Sequence, residues 1–294
     1  MQTYILSCCS TADLTKEHFE ARNIAWLPFH YFLDGKEYAD DLGQSMSFED
    51  FYAAVGAGAD TRTSQINAEE YLAHFAVYLE KGYDVFHVCL SSGLSGTVNS
   101  ARIAAEQAAE QYPERRVVVV DSLAAATGFG LLMDDLADLR DEGKTMDELL
   151  AWTEENKLHL RHWFFTTDLT TFIRGGRVSK ASGFVGTLLG ICPLLDVDAE
   201  GRLIPREKVR SKKKVIARIV EKMTEEAVDG ADYSGKCYMC HSACKEDAEA
   251  VAALVREKFP KLKGEILINS IGTTIGSHTG PGTVALFYWS KDPR

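Results

Sequence analysis

The chain has 294 residues, of which 46% are hydrophobic and 26% charged, values that are usual for a globular protein in water. Its formal net charge of -11 argues against nucleic acid or an anionic membrane as the main partner. No apolar run approaches the roughly 20 residues that span a bilayer, and the N-terminus has no basic region with a cleavage site, so we expect a cytoplasmic protein without a transmembrane segment.

Short apolar strands alternate with helices in the first half of the chain. Strands are predicted over 4–8, 24–29 and 85–90, and helices begin at Ser47 and Asn67. The β-branched run Val117–Val120 is typical of a parallel strand that is buried on both faces. This alternation predicts a parallel sheet with right-handed crossovers.

A second region follows two further helices. These two helices are predicted over 124–140 and 145–155. The second region then contains a strand over 161–166, a hairpin over 197–204, a helix over 213–225, a strand over 236–240, a helix over 246–258, and strands over 265–269 and 283–289. The length favours two domains. We expect an α/β fold with a Rossmann-like parallel-sheet domain over 1–157 and an α/β domain with a mixed sheet over 158–294.

The run Ser91-Ser92-Gly93-Leu94-Ser95-Gly96-Thr97 is the most informative motif of the chain. It lies between an apolar strand and an alanine-rich helical stretch. Such a turn collects backbone N–H groups and hydroxyl donors at a helix N-terminus, which favours binding of phosphate or carboxylate.

Three other segments are polar enough to consider as binding sites. Thr63-Ser64-Gln65 precedes a predicted helix and is also explained by helix capping. His278 lies in a predicted loop, where it either has a structural role or donates to an anion. Arg174-Gly175-Gly176-Arg177 is a turn with two guanidinium groups, and the basic stretch around Arg210 is either a solvated face or a docking patch for an anionic partner.

The cysteines do not predict a disulfide framework or a metal site. They are seven in number and scattered, which favours reduced thiols. Cys237-Tyr238-Met239-Cys240-His241 matches a haem attachment pattern, with Cys244 nearby. The motif straddles a predicted buried strand, whose alternate side chains face opposite ways, and no second ligand cluster supports zinc. We therefore expect no metal and no cofactor.

Taken together, these motifs resemble the DegV family of bacterial fatty acid-binding proteins over essentially the whole chain. The motifs in order are Ser10-Thr11-Ala12-Asp13-Leu14, Thr63-Ser64-Gln65, Ser91–Thr97, Asp121-Ser122, Arg174–Arg177, Cys192-Pro193-Leu194-Leu195 and Gly280-Pro281-Gly282. One departure is Cys9, where the family commonly has aspartate.

The resemblance implies that one long-chain fatty acid is buried between two α/β domains. It also implies that the protein is a lipid-binding subunit rather than an enzyme, and that it presents the carboxylate to an ATP-dependent fatty acid kinase that makes acyl phosphate for phospholipid synthesis. Transient contact with a membrane surface fits this role. By the same resemblance, the carboxylate ligands are Thr63, Ser95 and His278, the supporting loop residues are Ser64, Gly96, Thr97 and Gly280, and the candidate kinase or phosphate contacts are Arg174, Arg177 and Arg210.

Two alternatives remain open from the residues alone. Ser95 could be the nucleophile of a hydrolase or transferase, although its Gly-Leu-Ser-Gly context is not the Gly-x-Ser-x-Gly elbow. The protein could also be a lipid carrier or sensor that has no kinase partner.

Overall fold

The computed structural model describes residues 4–180 and 190–294. In the N-terminal half, neighbouring strands form a parallel sheet, as predicted. In spatial order, the strands are β2 (Ile24–Leu27), β1 (Tyr4–Cys9), β6 (Asp84–Cys89) and β7 (Val117–Asp121).

The valine run of β7 is only partly as predicted. The strand is parallel to β6, but it lies at the edge of the sheet. Val118 and Val120 are buried, whereas Val117 and Val119 are half-buried. A run of valines therefore predicted the strand but not its position, because an edge strand can be half-covered on one face and still pack against helices.

Helices begin close to where the sequence places capping residues. Asn67 and Glu70 form a capping box at the start of one helix, and Thr145 and Glu148 form another. The helices of this half are α1 (Lys16–Ala21), α2 (Phe48–Gly56), α3 (Ala68–Leu79), α4 (Thr97–Gln111), α5 (Ala126–Asp141) and α6 (Met146–Asn156).

A small antiparallel sheet was not predicted from the sequence. Its strands, in spatial order, are β4 (Lys36–Ala39), β3 (His30–Leu33) and β5 (Thr61–Ser64). Thr63 lies in β5 opposite Tyr31. The helix-capping interpretation of Thr63 and Ser64 is therefore wrong, because the side chain of Asn67 caps α3.

The C-terminal half forms a mixed sheet, as predicted. In spatial order, its strands are β10 (Leu203–Arg210), β9 (Ile191–Val197), β8 (Leu160–Phe165), β13 (Val284–Trp289), β11 (Tyr238–His241) and β12 (Leu267–Ser270). Only the β11–β12 pair among these described neighbours is parallel. The predicted hairpin is the β9–β10 pair.

The two faces of the mixed sheet are covered by different helices. The helices of this half are α7 (Thr170–Arg174), α8 (Lys212–Glu226), α9 (Lys245–Lys258) and α10 (Thr273–Thr279). On one face, Phe165 and Met239 share a hydrophobic core with residues of α8 and α9. On the other face, Phe164 and Cys240 share a core with residues of α5.

The two halves of the chain interlock. From the N-terminal half, α5 packs against β8, β11 and β13, and from the C-terminal half, α10 packs against β3, β5 and α2. The domain boundary that we predict near residue 157 falls in the 3-10 turn Lys157–His159, between α6 and β8. It stays a prediction.

Candidate functional site

A cavity of about 320 Å³ lies where the two halves of the chain meet. This volume is at the lower end of the range for small-molecule sites. Its wall is largely apolar and comes from both halves, with Phe29, Leu90, Phe164, Phe172, Ile275 and Phe287 among its members. Polar side chains also reach it, namely Thr63, Gln65, Ser95, Arg177 and His278.

Thr63 and His278 form the central polar contact. His278 Nε2 lies 2.8 Å from Thr63 Oγ1, and His278 Nδ1 lies 3.5 Å from Arg177 Nη1. Because a guanidinium can only donate, Nδ1 is the acceptor and the ring proton is on Nε2, which donates to Thr63. The hydroxyl hydrogen of Thr63 is then available for a ligand.

Burial keeps His278 neutral. Burial, followed by the charges of Arg177 and Arg174, lowers the pKa of His278 to about 3. The neutral tautomer is also the one that the hydrogen bonds require. At neutral pH this imidazole orients the hydroxyl of Thr63 and brings no positive charge of its own.

The structure places His278 in a helix, which corrects the predicted loop. The segment Thr273–Thr279 forms α10 although its threonines and glycine are weak helix formers. Asp40, from the other half of the chain, accepts a hydrogen bond from the Thr274 N–H at 3.3 Å. Such a contact between distant segments overrides local propensity, so the helix was not visible in the sequence.

The serine-glycine run is a turn that ends at the start of α4, as predicted. Ser91 Oγ donates to the Gly201 carbonyl at 2.8 Å, and the Thr97 N–H donates to Ser95 Oγ at 3.3 Å. Gly96 precedes the helix and, like Ser95, lines the cavity. The positive end of a helix dipole therefore faces the cavity beside a hydroxyl group.

Arg177 lies beside His278 and brings a positive charge to the polar group that Thr63 and His278 form. Its Nη1 donates to the Gly175 carbonyl at 2.7 Å, and its Nε and Nη2 donate to the Leu94 carbonyl at 3.3 and 3.1 Å. No carboxylate forms an ion pair with it within residues 4–180 and 190–294. A side chain at Gly175 would collide with His278 Nδ1, so only glycine lets this turn pass the imidazole.

Comparison with known proteins identifies the family. A family model described as "Uncharacterised protein, DegV family" matches residues 9–291. The chain belongs to the DegV family. It is 36% identical to a DegV domain-containing protein of Clostridium perfringens over 295 residues, which cover 100% of both chains. The resemblance seen in the sequence motifs is confirmed.

Two relatives carry names that describe a ligand. A protein of Thermotoga maritima called a fatty acid-binding protein is 30% identical over 279 residues, covering 94% of this chain and 93% of the relative. A solved structure from Thermus thermophilus, described as fatty acid binding of a DegV family protein, superposes with a TM-score of 0.86 at 29% identity, covering 98% of this chain and 99% of the other. Both of these relatives are thus described as binding fatty acids.

Of the supporting loop residues implied by the DegV resemblance, some line the cavity and others do not. Gly96 lines it, whereas Ser64 is the last residue of β5. Thr97 is buried and its Oγ1 lies 2.7 Å from Tyr71 OH, and Gly280 ends α10. These residues shape the segments that carry Thr63, Ser95 and His278.

The two other arginines lie outside the polar group. Arg174 is exposed and its Nη2 donates at 3.2 Å to the Oγ1 of Thr61, the first residue of the strand that carries Thr63. Arg210 is exposed at the end of β10, opposite Ile191, and does not line the cavity. The structure therefore brings Arg177 to Thr63 and His278, but not Arg210.

Sequence reasoning missed most of the cavity wall. Gln65, which the sequence analysis named only as part of the Thr63-Ser64-Gln65 segment, lines the cavity, and its Nε2 donates to Ser100 Oγ at 3.0 Å. His162, which lies in β8, was not singled out at all. The apolar members gave no signal of their own, because a strand residue that faces a cavity follows the same alternation as one that faces a filled core.

The cysteine motif is divided between the two faces of the mixed sheet. Cys237 lies in the core under α8 and α9, whereas Cys240 lies in the core that faces α5 and the cavity. In the described part of the chain, no group of three or more histidine, cysteine, aspartate or glutamate side chains is placed to hold a metal ion. The same residues contain no helix that is long and apolar enough to cross a membrane.

Proposed function

We propose that this protein binds one long-chain fatty acid in the cavity and presents its carboxylate to a separate ATP-dependent fatty acid kinase. The observation that carries the proposal is the cavity itself, which is lined both by the hydrogen-bonded residues Thr63, His278 and Arg177 and by many apolar side chains. The named relatives from Thermotoga and Thermus support the choice of ligand.

Tail burial accounts for most of the affinity in this proposal. Each buried methylene contributes about 0.8 kcal/mol. A long-chain acid thus gains roughly 10 kcal/mol before the costs of ordering the ligand and the protein are subtracted. The apolar wall formed by Phe164, Phe172 and Phe287 is of the kind that this burial needs.

The polar group offsets the cost of burying a carboxylate. An ionised carboxylate in an apolar site is unfavourable unless it is hydrogen-bonded or paired. Thr63 and Ser95 supply hydroxyl donors, the start of α4 supplies backbone N–H groups, and Arg177 supplies a nearby positive charge. Arg177 already donates to the Leu94 and Gly175 carbonyls. It therefore offsets the charge of the fatty acid carboxylate without forming a bidentate ion pair, which would make the carboxylate less nucleophilic.

The chemistry takes place on the partner kinase. A carboxylate oxygen attacks the γ-phosphorus of ATP, an oxygen–phosphorus bond forms, and the bond from that phosphorus to the leaving ADP breaks. The products are acyl phosphate, which enters phospholipid synthesis, and ADP. Arg174 and Arg210, which are exposed, are our candidates for contacting the kinase or the transferred phosphate. A partner that uses ATP is consistent with the cytoplasmic location that we expect from the sequence.

Mass spectrometry of the purified protein tests ligand binding. Native spectra should show one added mass that corresponds to a fatty acid, and extraction with organic solvent should release it. A ligand-free mass, with no uptake after incubation with mixed fatty acids, would contradict the proposal. The kinase step is tested separately, by incubating the loaded protein with ATP and the fatty acid kinase of the same organism. Retained lipid without acyl phosphate would favour a carrier or sensor.

The structure offers little support for a serine hydrolase. The Thr97 N–H donates to Ser95 Oγ, and the imidazole in the site is bonded to Thr63 instead. A serine-reactive phosphonate should therefore leave Ser95 unlabelled. Labelling at this residue would revive the enzyme hypothesis.

A further inference from the structure

A chain of polar side chains crosses the core of the N-terminal half and ends at the serine-glycine turn. Neighbouring members lie 2.8, 3.0, 3.8, 3.3 and 2.7 Å apart, the two longest distances being to a cysteine sulfur. All members but the first, which is half-buried, are fully buried. Burial of polar groups is unfavourable unless they are hydrogen-bonded, so the members hold one another in fixed positions. In order along the chain they are His74, Ser7, His87, Cys9, Tyr71 and Thr97.

Tyr71 connects this chain to the head-group turn. Its OH lies 2.7 Å from Oγ1 of Thr97, the first residue of α4. The Thr97 N–H donates to Ser95 Oγ at 3.3 Å, and Ser95 lines the cavity. Tyr71 is not among the described residues that line the cavity. It therefore reaches the head-group position only through Thr97.

The hydrogen bonds of the chain favour one direction. Both histidines are neutral, because burial lowers their pKa values, that of His74 to about 4. If Tyr71 donated to Thr97, the buried threonine hydroxyl would have no acceptor of its own among the described residues. If Thr97 donates to Tyr71, every hydroxyl and thiol of the chain has an acceptor, the last being Nε2 of His74. Tyr71 is thus the acceptor for Thr97 and donates to Cys9.

The phenol ring of Tyr71 is held from several sides. It packs edge-on against His87, with ring centres 5.2 Å apart, and is tilted against Phe75 at 5.8 Å. Its helix, α3, begins at the capping box of Asn67 and Glu70. Because only two torsion angles join a tyrosine ring to the backbone, this packing fixes the hydroxyl that Thr97 contacts.

We propose that Tyr71 is a positioning residue for the fatty acid carboxylate: by accepting from the Thr97 hydroxyl, it holds the first turn of α4 so that the Ser95 hydroxyl hydrogen points to the head group. This proposal rests on the proposed fatty acid binding and adds a residue that does not touch the ligand. Ser95 Oγ accepts from the Thr97 N–H, so its own hydrogen is left for a carboxylate oxygen. Support of this kind keeps a binding group in its productive geometry.

The pKa of a bound fatty acid measures this positioning. The full-length protein is loaded with palmitic acid that carries carbon-13 in its carboxyl group, and the carboxyl resonance is followed by NMR as the pH changes. A hydrogen bond to a carboxylate stabilises its charged form. Tyr71→Phe should therefore raise the pKa of the bound carboxyl, and it should weaken palmitate binding by about fivefold.

Variants of Thr97 and of a second buried tyrosine provide the controls. Tyr233→Phe removes the hydroxyl of another fully buried tyrosine, which donates to the Lys236 carbonyl in the core under α8 and α9. It should change neither the carboxyl pKa nor the affinity. Thr97→Val should reproduce the effects of Tyr71→Phe, and Thr97→Ser should retain normal values. The double variant Tyr71→Phe, Thr97→Val should lose no more than either single variant, because both remove the same bond.

Three outcomes would overturn the proposal. The first is an unchanged carboxyl pKa in folded Tyr71→Phe, or in folded Thr97→Val if the tyrosine variant does not fold. The second is an equal change in Tyr233→Phe, which would mean that general loss of stability is responsible. The third is the absence of labelled palmitate from the unmodified protein, in which case the proposed function fails as well.

Discussion

The imidazole of His278 and the hydroxyl of Thr63 lie 2.8 Å apart, although 215 positions separate them in the chain. One residue belongs to α10 in the C-terminal half and the other to β5 in the N-terminal half. The polar group of the cavity therefore forms only when the two halves pack together. Ligand binding and the packing of the halves should consequently depend on each other.

Removal of the Thr63 hydroxyl should weaken fatty acid binding. Thr63→Val keeps the shape of the side chain, but it removes a donor to the carboxylate and leaves His278 Nε2 without its acceptor. A hydrogen bond to a charged group is worth about 1.5–3 kcal/mol, so we expect affinity to fall by at least tenfold. Displacement of a fluorescent fatty acid measures the change. Thr63→Ser, which retains the hydroxyl, should bind nearly normally, and equal loss in both variants would show that packing and not the hydroxyl is responsible.

Arg177 should contribute through its charge. Arg177→Gln retains hydrogen-bond donors but not the cation, so affinity for a fatty acid should fall several-fold while affinity for the matching neutral fatty alcohol changes little. The same displacement assay reports both ligands. Arg210→Gln is the control: this residue lies outside the cavity, and its substitution should leave both affinities unchanged while lowering kinase-coupled acyl phosphate formation. Normal fatty acid binding by Arg177→Gln would mean that the charge of Arg177 does not contribute to ligand affinity. Its candidate role in contacting the kinase or the phosphate would then be the only one left.

The sequence predicted the elements of this fold better than their assembly. Local patterns located the turn at Ser95, because glycine and hydroxyl residues between a strand and a helix have few other uses. Thr63 and His278 have no such local signature. One lies in an edge strand and the other in a helix that depends on Asp40, so only the family resemblance connected them.

The cavity could not be predicted from periodicity. Phe164 and Phe287 alternate with neighbours on the opposite face of the sheet, as core residues do. Whether such a face meets a packed helix or an open space depends on how closely distant segments approach. Gly128 is one such position, because a Cβ there would collide with the ring of His162. The sequence alone does not show that this glycine and this ring meet.

A charged cluster at the junction of the two halves should be important for stability. Asp134 is 6% exposed and accepts from Lys236 Nζ at 2.5 Å, and it also contacts His18 and Arg22. Lys236→Met would leave Asp134 and its neighbouring carboxylates without this cation. Because Lys236 is 29% exposed and Arg22 remains, we expect a loss of about 2 kcal/mol in the free energy of unfolding, less than for a fully buried pair.

Urea unfolding measures this loss. Lys236→Arg is the matched control, since it keeps the charge, and should lose less than half as much stability. If Lys236→Met is as stable as the unmodified protein, the cost of desolvating the charged groups equals the attraction between them. Apolar packing alone would then stabilise the contact between the two halves.

His278 should make the ligand-free protein less stable as the pH falls. Burial lowers its pKa to about 3 in the folded state, whereas histidine in an unfolded chain titrates near 6.5. Between about pH 6.5 and pH 3 the unfolded chain binds more protons, so the stability contribution is complete above pH 6.5 and decreases by about 1.4 kcal/mol per pH unit below it. Buried Asp13 acts in the opposite direction, because burial raises the pKa of its carboxyl.

Comparison of the unmodified protein with a His278 variant separates the effect of His278 from that of other titrating groups, such as Asp13. The free energy of unfolding is measured in urea at pH 6 and pH 5 for the unmodified protein and for His278→Asn. The variant should show a pH dependence that is smaller by about 1.4 kcal/mol per unit. Thr279→Val, an uncharged change in the same cavity wall, should keep the original dependence. An equal slope in His278→Asn and the unmodified protein would mean that His278 is protonated in the folded state, and the assignment of its proton to Nε2 alone would be wrong.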